Sequence, residues 1–263
     1  MLYMVKDGRL RIYVLVDAIG QEDPCRLYMY DASVNHWTNV SKFPVRDACL
    51  AAIDDRIYVM GGDRAMYAFD EEHRRLIAKE KVPILLHGSA TVAYDGRLYV
   101  VGGMCWPSRN ASHRAATAAY CYDPARNVWE KLAPMPTGRF GCRACVGPDG
   151  LIYVVGGCNI NHDNVSCVEA YNVQTNQWHS KRSMHVRRWG TGLVRLEDKL
   201  YAVAGWSGIS DGPKRTECYD TETDSWSRCE PSFPWQCSMD CAVIQRHIAW
   251  KNMQRPSADF DGL

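Results

Sequence analysis

Cys142 and Cys145 stand three residues apart, the spacing with which thiolates hold zinc or cycle a disulfide, and Cys237 and Cys241 form a second close pair. Whether such pairs can do that chemistry depends on the element beneath them. Both fall in short apolar stretches that read as β-strands. On a strand an offset of three sends side chains to opposite faces, so Cys142 and Cys145 cannot close on one metal ion. Cys237 and Cys241 share a face but lie about 13 Å apart along it. Cys105 and Cys158 sit in loops, where a thiol could act as a sensor. No Gly-x-x-x-x-Gly-Lys-Ser/Thr, His-Glu-x-x-His or Gly-x-Ser-x-Gly motif occurs. The expectation is therefore no catalytic residue, no metal, no cofactor and no enzymatic activity.

The elements that must position these residues repeat. Repeats are the first thing to seek in a chain of 263 residues. Arg56-Ile57-Tyr58-Val59-Met60-Gly61-Gly62 returns as Arg97-Leu98-Tyr99-Val100-Val101-Gly102-Gly103, as Leu151-Ile152-Tyr153-Val154-Val155-Gly156-Gly157, and as Lys199-Leu200-Tyr201-Ala202-Val203-Ala204-Gly205. Arg11-Ile12-Tyr13-Val14 opens the same way without glycines. The tyrosines are 45, 41, 54 and 48 residues apart, the range of propeller blades. A second marker follows each: Tyr30, Phe69, Tyr122, Tyr171 and Tyr219, every one followed seven residues later by Trp37, Leu76, Trp129, Trp178 or Trp226. The distance from that position to the next repeat tyrosine is nearly constant, at 21, 23, 24 and 23. Only the stretch between the first tyrosine and the second marker varies, at 17, 11, 23, 18 and 18.

The repeated segments are short, rich in Val, Ile, Leu and Tyr, and bounded by Gly, Asp, Asn and Pro, which predicts strands. Four per unit, labelled a to d, make an antiparallel sheet, and radial repetition of such sheets makes a propeller. The fold predicted is all-β, with five four-stranded blades (about 2–43, 44–83, 84–136, 137–184 and 185–233), part of a sixth (236–250) and an irregular tail (251–263). Tyr58, Tyr99, Tyr122, Tyr153, Tyr201, Trp37, Trp129, Trp178 and Trp226 are expected to fill the layers between blades. Gly61, Gly62, Gly102, Gly103, Gly156 and Gly157 are expected where backbone turns or passes closely.

The double glycine after strand b, the Tyr-Asp and the Trp seven residues on resemble the kelch repeat, over about residues 2 to 250. Ala133 to Arg139 is similar to the corresponding stretch of the kelch-like family, in which the propeller follows BTB and BACK domains. No segment of either kind is present in this chain. The pattern stops inside a strand after Cys241-Ala242-Val243-Ile244, so either this fragment closes a five-bladed ring against blade 1 or, the reading preferred, the chain is a shortened version of a longer protein. The resemblance implies a protein-binding module that holds a substrate for a cullin-RING ubiquitin ligase. The ligase would be reached only through the BTB and BACK domains. Other kelch proteins bind actin, and a cytoskeletal scaffold is the alternative. Still others are copper oxidases, but no His/Tyr/Cys set here maps onto such a site.

The variable spacer is the b–c loop, and function gathers where length varies over a rigid frame. Strand directions place the b–c and d–a loops on one face. That face is expected to carry Trp106, Arg109, His113 and Arg114 from the longest loop, with Trp189, Trp206 and Trp235. Arg46, Arg139 and Arg188 precede strand a at matching positions, with His87 in the blade 2–3 place. The resemblance implies that this rim contacts acidic peptides, as a guanidinium fork suits a carboxylate. Otherwise the same arginines tie blades together through backbone carbonyls.

Lys and Arg number 31 and Asp and Glu 30, a balance that argues against a nucleic-acid or anionic-membrane surface. No apolar run is long enough to span a bilayer. The charged start, with Lys6, Asp7, Arg9 and Arg11, does not read as a secretory signal. The twelve cysteines are then expected as free thiols in the cytoplasm, and the sequons at Asn39, Asn110 and Asn164 as chance matches.

Overall fold

The seven-residue step between the second aromatic and the Trp fixes a hairpin, and that hairpin recurs five times. A computed structural model describes residues 2–6, 9–16, 25–44, 48–54, 56–61, 64–83, 87–105, 114–207 and 216–229, with side chains from residue 11 onward. Blade 1 is β1 (Leu2–Lys6), β2 (Arg9–Val16), β3 (Cys25–Asp31) and β4 (His36–Phe43). Blade 2 is β5 (Cys49–Ile53), β6 (Arg56–Met60), β7 (Met66–Asp70) and β8 (Arg75–Ala78). Blade 3 is β9 (Ala90–Tyr94), β10 (Arg97–Val101), β13 (Ala119–Asp123) and β14 (Val128–Lys131). Blade 4 is β15 (Arg143–Val146), β16 (Ile152–Val155), β17 (Val168–Asn172) and β18 (Gln177–Lys181). Blade 5 is β19 (Gly192–Leu196), β20 (Lys199–Val203), β21 (Thr216–Asp220) and β22 (Ser225–Cys229). Each is a four-stranded antiparallel meander. The predicted sixth fragment and the tail lie outside the described residues.

The step of seven is a register. Tyr30 pairs with Trp37, Phe69 with Leu76, Tyr122 with Trp129, Tyr171 with Trp178 and Tyr219 with Trp226. A four-residue turn separates the strands, and its last residue is left-handed each time: Asn35, Arg74, Asn127, Asn176 and Asp224, at φ between 47 and 54°. The preceding acid or amide caps the turn; Asp123 Oδ1, for example, accepts from the Ala125 and Arg126 N–H groups.

Aromatics seal the blade interfaces. The strand-b tyrosine of one blade meets the strand-c tyrosine of the next, with centroids 6.0 Å apart for Tyr58–Tyr122, 6.5 Å for Tyr99–Tyr171 and 5.6 Å for Tyr153–Tyr219. Each second tyrosine then packs on its own Trp at 4.9 to 5.0 Å. Among the described residues, the blade at each end of this run has one such face without a neighbour. Trp37 is accordingly 44% exposed, a correction to its expected place in an inter-blade layer, and Tyr201 is only half-buried. Among the described residues no blade precedes the first or follows the fifth.

Polar clasps fasten the outer strands to the preceding blade. The Trp129 indole donates to Glu80 O, Trp178 to Ala133 O and Trp226 to Arg182 O. The same three residues are held by their N–H groups, on Asn127 Oδ1, Asn176 Oδ1 and Asp224 Oδ1. Burial pushes the Asp224 carboxyl up, but the Tyr219 hydroxyl and the Arg182 N–H outweigh it and hold it below the ordinary aspartate range. A carboxyl depressed on folding adds stability above its unfolded pKa, about 3.9, and that stability is lost as pH falls through the folded value. Asp224→Asn, which copies blades 3 and 4, is expected to leave the melting temperature at pH 7 little changed and to shrink its fall between pH 5 and 3. Melting curves across that range check this; an undiminished acid fall would reject it.

Candidate functional site

The double glycines explain how the loop face is built. Gly102 and Gly156 are left-handed, at φ 67 and 60°, and lie under the carbonyl of the next blade's Arg139 and Arg188. A Cβ on Gly102 would sit 2.5 Å from Arg139 O, and one on Gly156 closer still to Arg188 O. Gly103 and Gly157 then donate to those same carbonyls at 2.9 Å. Blade 5 has Ala204 in the first position, also left-handed, at φ 52°. Tight turns at Gly88, Gly141 and Gly190 hand one main-chain bond from blade to blade, Gly141 N to Gly88 O at 2.6 Å and Gly190 N to Gly141 O at 2.8 Å.

The d–a and b–c loops meet on one face. Isolated antiparallel bridges join His87 to Met104, Phe140 to Cys158 and Trp189 to Trp206. Within the longest b–c loop, β11 (Met104–Cys105) pairs with β12 (Arg114–Ala115), where only loop was predicted. The loop extends the ladder two rungs, and Arg114 is exposed on it.

Arg139 and Arg188 do not lie on that face. Both are 0% exposed. Arg139 pairs with Glu169 at 2.6 Å and donates to Cys167 O at 2.8 Å and Val154 O at 3.3 Å. Arg188 pairs with Glu217 and donates to Ala204 O at 2.9 Å. Thr137 Oγ1 completes the first site on Glu169, and the His185 and Val186 N–H groups complete the second on Glu217. Each arginine thus holds one blade by its carbonyl and the next by its guanidinium. Their expected contact with an acidic partner is corrected: the charge is already neutralised inside the chain. Burial lowers the Arg188 pKa, and Glu217 opposes the fall.

His87 is corrected as well. Its bridge to Met104 places it with Phe140 and Trp189, one position after the arginines, and it is exposed. Arg46, Gly62, Trp106, Arg109, His113 and Trp235 lie outside the described residues.

What this face presents is aromatic. Trp189 is 38% and Trp206 47% exposed, and Ile160 on the neighbouring loop is 48% exposed. Trp189 and Trp206 exchange both main-chain bonds, at 3.0 and 2.9 Å, so their side chains stand on the same side of the ladder. The Trp189 ring reaches over Gly141, where a Cβ would come within 3.2 Å of it. Asn164 Nδ2 ties the blade 4 loop to Trp206 O at 2.9 Å, and Phe140 meets His162 edge-on at 5.6 Å. Phe140, Ile160, His162 and Asn164 were not foreseen. A bulky residue followed by glycine before each strand a (His87-Gly88, Phe140-Gly141, Trp189-Gly190) was the signal available.

The cysteines divide as their spacing requires. Cys142 packs in the core between blades 3 and 4, and Cys145 packs against the core between blades 4 and 5. Among the described residues no group of three His, Cys, Asp or Glu could hold a metal ion. Burial first, and Asp163 second, push the Cys158 thiol up to about 11. Cys158 is therefore expected to resist iodoacetamide at pH 7.5 in the native protein and to react in urea at the rate of an ordinary thiol. Mass spectrometry of labelled peptides reads both; equal rates would reject it.

Five four-stranded sheets locked by glycine turns, Tyr–Trp registers and a loop face define a kelch-repeat β-propeller. Two overlapping stretches, residues 17–205 and 88–250, match the KLHDC2/KLHL20/DRC7 Kelch-repeats domain, and the chain belongs to that family. It is 34% identical over 140 residues to the F-box/kelch-repeat protein At1g67480 of Arabidopsis thaliana, covering 53% of this chain and 36% of that one. It is 25% identical to Kelch-like protein 41a of Danio rerio and 27% to Kelch-like protein 34 of Homo sapiens, each over 84% of this chain. The chain spans less than two-fifths of the length of these relatives, 36 to 38%. Among solved structures, that titled "Structure of YjhT" shares the fold, with a TM-score of 0.61 at 21% identity over 72% of this chain and 66% of that one.

Proposed function

We propose that this kelch propeller holds a protein substrate on its loop face as the recognition part of a cullin-RING ubiquitin-ligase adaptor. The observation that carries the binding reading is the exposed Trp189–Trp206 pair with Ile160, set on loops that the buried arginines and glycine turns make rigid. Tryptophan anchors on a preorganised surface dominate protein recognition. The adaptor reading is supported by the kelch-like relatives. Proximity labelling from the wild-type chain and from a Trp189→Ala/Trp206→Ala variant tests both. The expected result is a small set of neighbours lost in the variant, whose abundance rises when cullin neddylation is blocked. An identical set from both proteins would move the site off this face. A set that does not accumulate would remove the ligase role, and F-actin among it would favour a cytoskeletal scaffold.

A further inference from the structure

We infer that the Trp189–Trp206 platform selects an extended, proline-containing segment of its partner rather than an acidic one; this rests on the loop face being the binding site. Three features point there. The guanidiniums that would attract carboxylates are buried and paired with Glu169 and Glu217, so blades 4 and 5 offer no arginine fork from those positions. The main chain of the platform is satisfied: Trp189 and Trp206 bond to each other, and Asn164 takes a further lone pair of Trp206 O. At these two residues an incoming strand therefore finds no free rung to pair with.

What the Trp189–Trp206 pair itself offers is two indole faces and two indole N–H donors. Neither donor has a partner among the described residues. The matching ligand carries flat apolar rings and main-chain carbonyls that no neighbouring N–H has claimed. A polyproline II segment has both. Its prolines stack on aromatic faces, its backbone makes no internal hydrogen bond, and its stiffness lowers the entropy lost on docking. Ile160, exposed on the adjoining loop, extends the apolar floor.

The test follows the indole N–H resonances of the full chain labelled with 15N-tryptophan, titrated with acetylated, amidated hexaproline. Trp189→Phe and Trp206→Phe assign the two signals, and unchanged melting temperatures show that both variants fold. Hexaproline is expected to move these two resonances to saturation, each single variant to weaken the titration at least about tenfold, and hexaglutamate at equal concentration to move neither. The inference falls if hexaproline moves no indole, if its binding survives in the double variant, or if hexaglutamate acts equally. Loss of the labelled neighbours in Trp189→Ala/Trp206→Ala without hexaproline binding would overturn this selectivity and leave the loop-face reading standing. Unchanged neighbours together with no hexaproline binding would remove both.

Discussion

Arg139→Ala is expected to cost about 3–5 kcal/mol of folding stability, because it strands the Glu169 carboxylate in an interior that excludes water. Urea unfolding measures the loss, and a change below about 1 kcal/mol would reject the pairing as a structural element. The repeat supplies its own control. Counted back from strand a, the place of Arg139 is Leu86 in blade 3, and the place of Glu169, two residues before the second tyrosine, is Tyr120. Blade 3 thus carries Leu with Tyr where blades 4 and 5 carry Arg with Glu. The double substitution Arg139→Leu/Glu169→Tyr is expected to recover most of the loss, since a buried ion pair replaced whole by apolar groups is commonly close to neutral. The comparison also guards the search for partners. An Arg139 variant that loses its neighbours through unfolding would imitate a lost binding site, whereas Trp189 and Trp206 can be changed without touching this pair.

Gly156→Ala is expected to be as damaging, at about 3 kcal/mol or more. The new methyl would meet Arg188 O, a main-chain atom fixed by the Gly157 N–H, and the residue would also have to keep a left-handed φ of 60°. Neither side can yield without parting blades 4 and 5. Ala204 occupies the equivalent place in blade 5 at nearly the same φ, 52°. Backbone strain alone is therefore tolerable, and the collision with the carbonyl carries the effect. Ala204→Gly is accordingly expected to stay within about 1 kcal/mol of the wild type. Paired melting curves decide it. A Gly156→Ala protein as stable as the Ala204→Gly protein would show that the next blade does not press on this turn.

The frame was legible because it rests on short-range rules. A four-residue turn with a left-handed last position forces the step from Tyr122 to Trp129, and two glycines after strand b mark a close approach whatever the partner. The site was less legible. Matching Arg139 and Arg188 to His87 is one residue out of register: the glycines at 88, 141 and 190 align His87 with Phe140 and Trp189, as the main-chain bridges show. The burial of the two arginines has a correlate in the sequence: an acid two residues before the second tyrosine occurs in blades 4 and 5, as Glu169 and Glu217, and is absent from blade 3. Other facts lay beyond local sequence. Trp37 obeys every marker yet stands 44% exposed, since what covers a tryptophan here is the neighbouring blade and not its own. The rungs of β11 and β12 likewise depend on two loop ends meeting, which composition does not encode.

The outer clasps bear on how such a chain can change over time. Each grips Glu80, Ala133 or Arg182 by its amide and its carbonyl, with one added side-chain bond from Arg182 Nε to Asp224 O, and those three residues have nothing in common as side chains. A fastener made mostly of main-chain groups leaves the gripped residues at these three joints free to drift without loosening the blades. Neighbouring units can then diverge, or be exchanged for one another, while the same joint keeps closing.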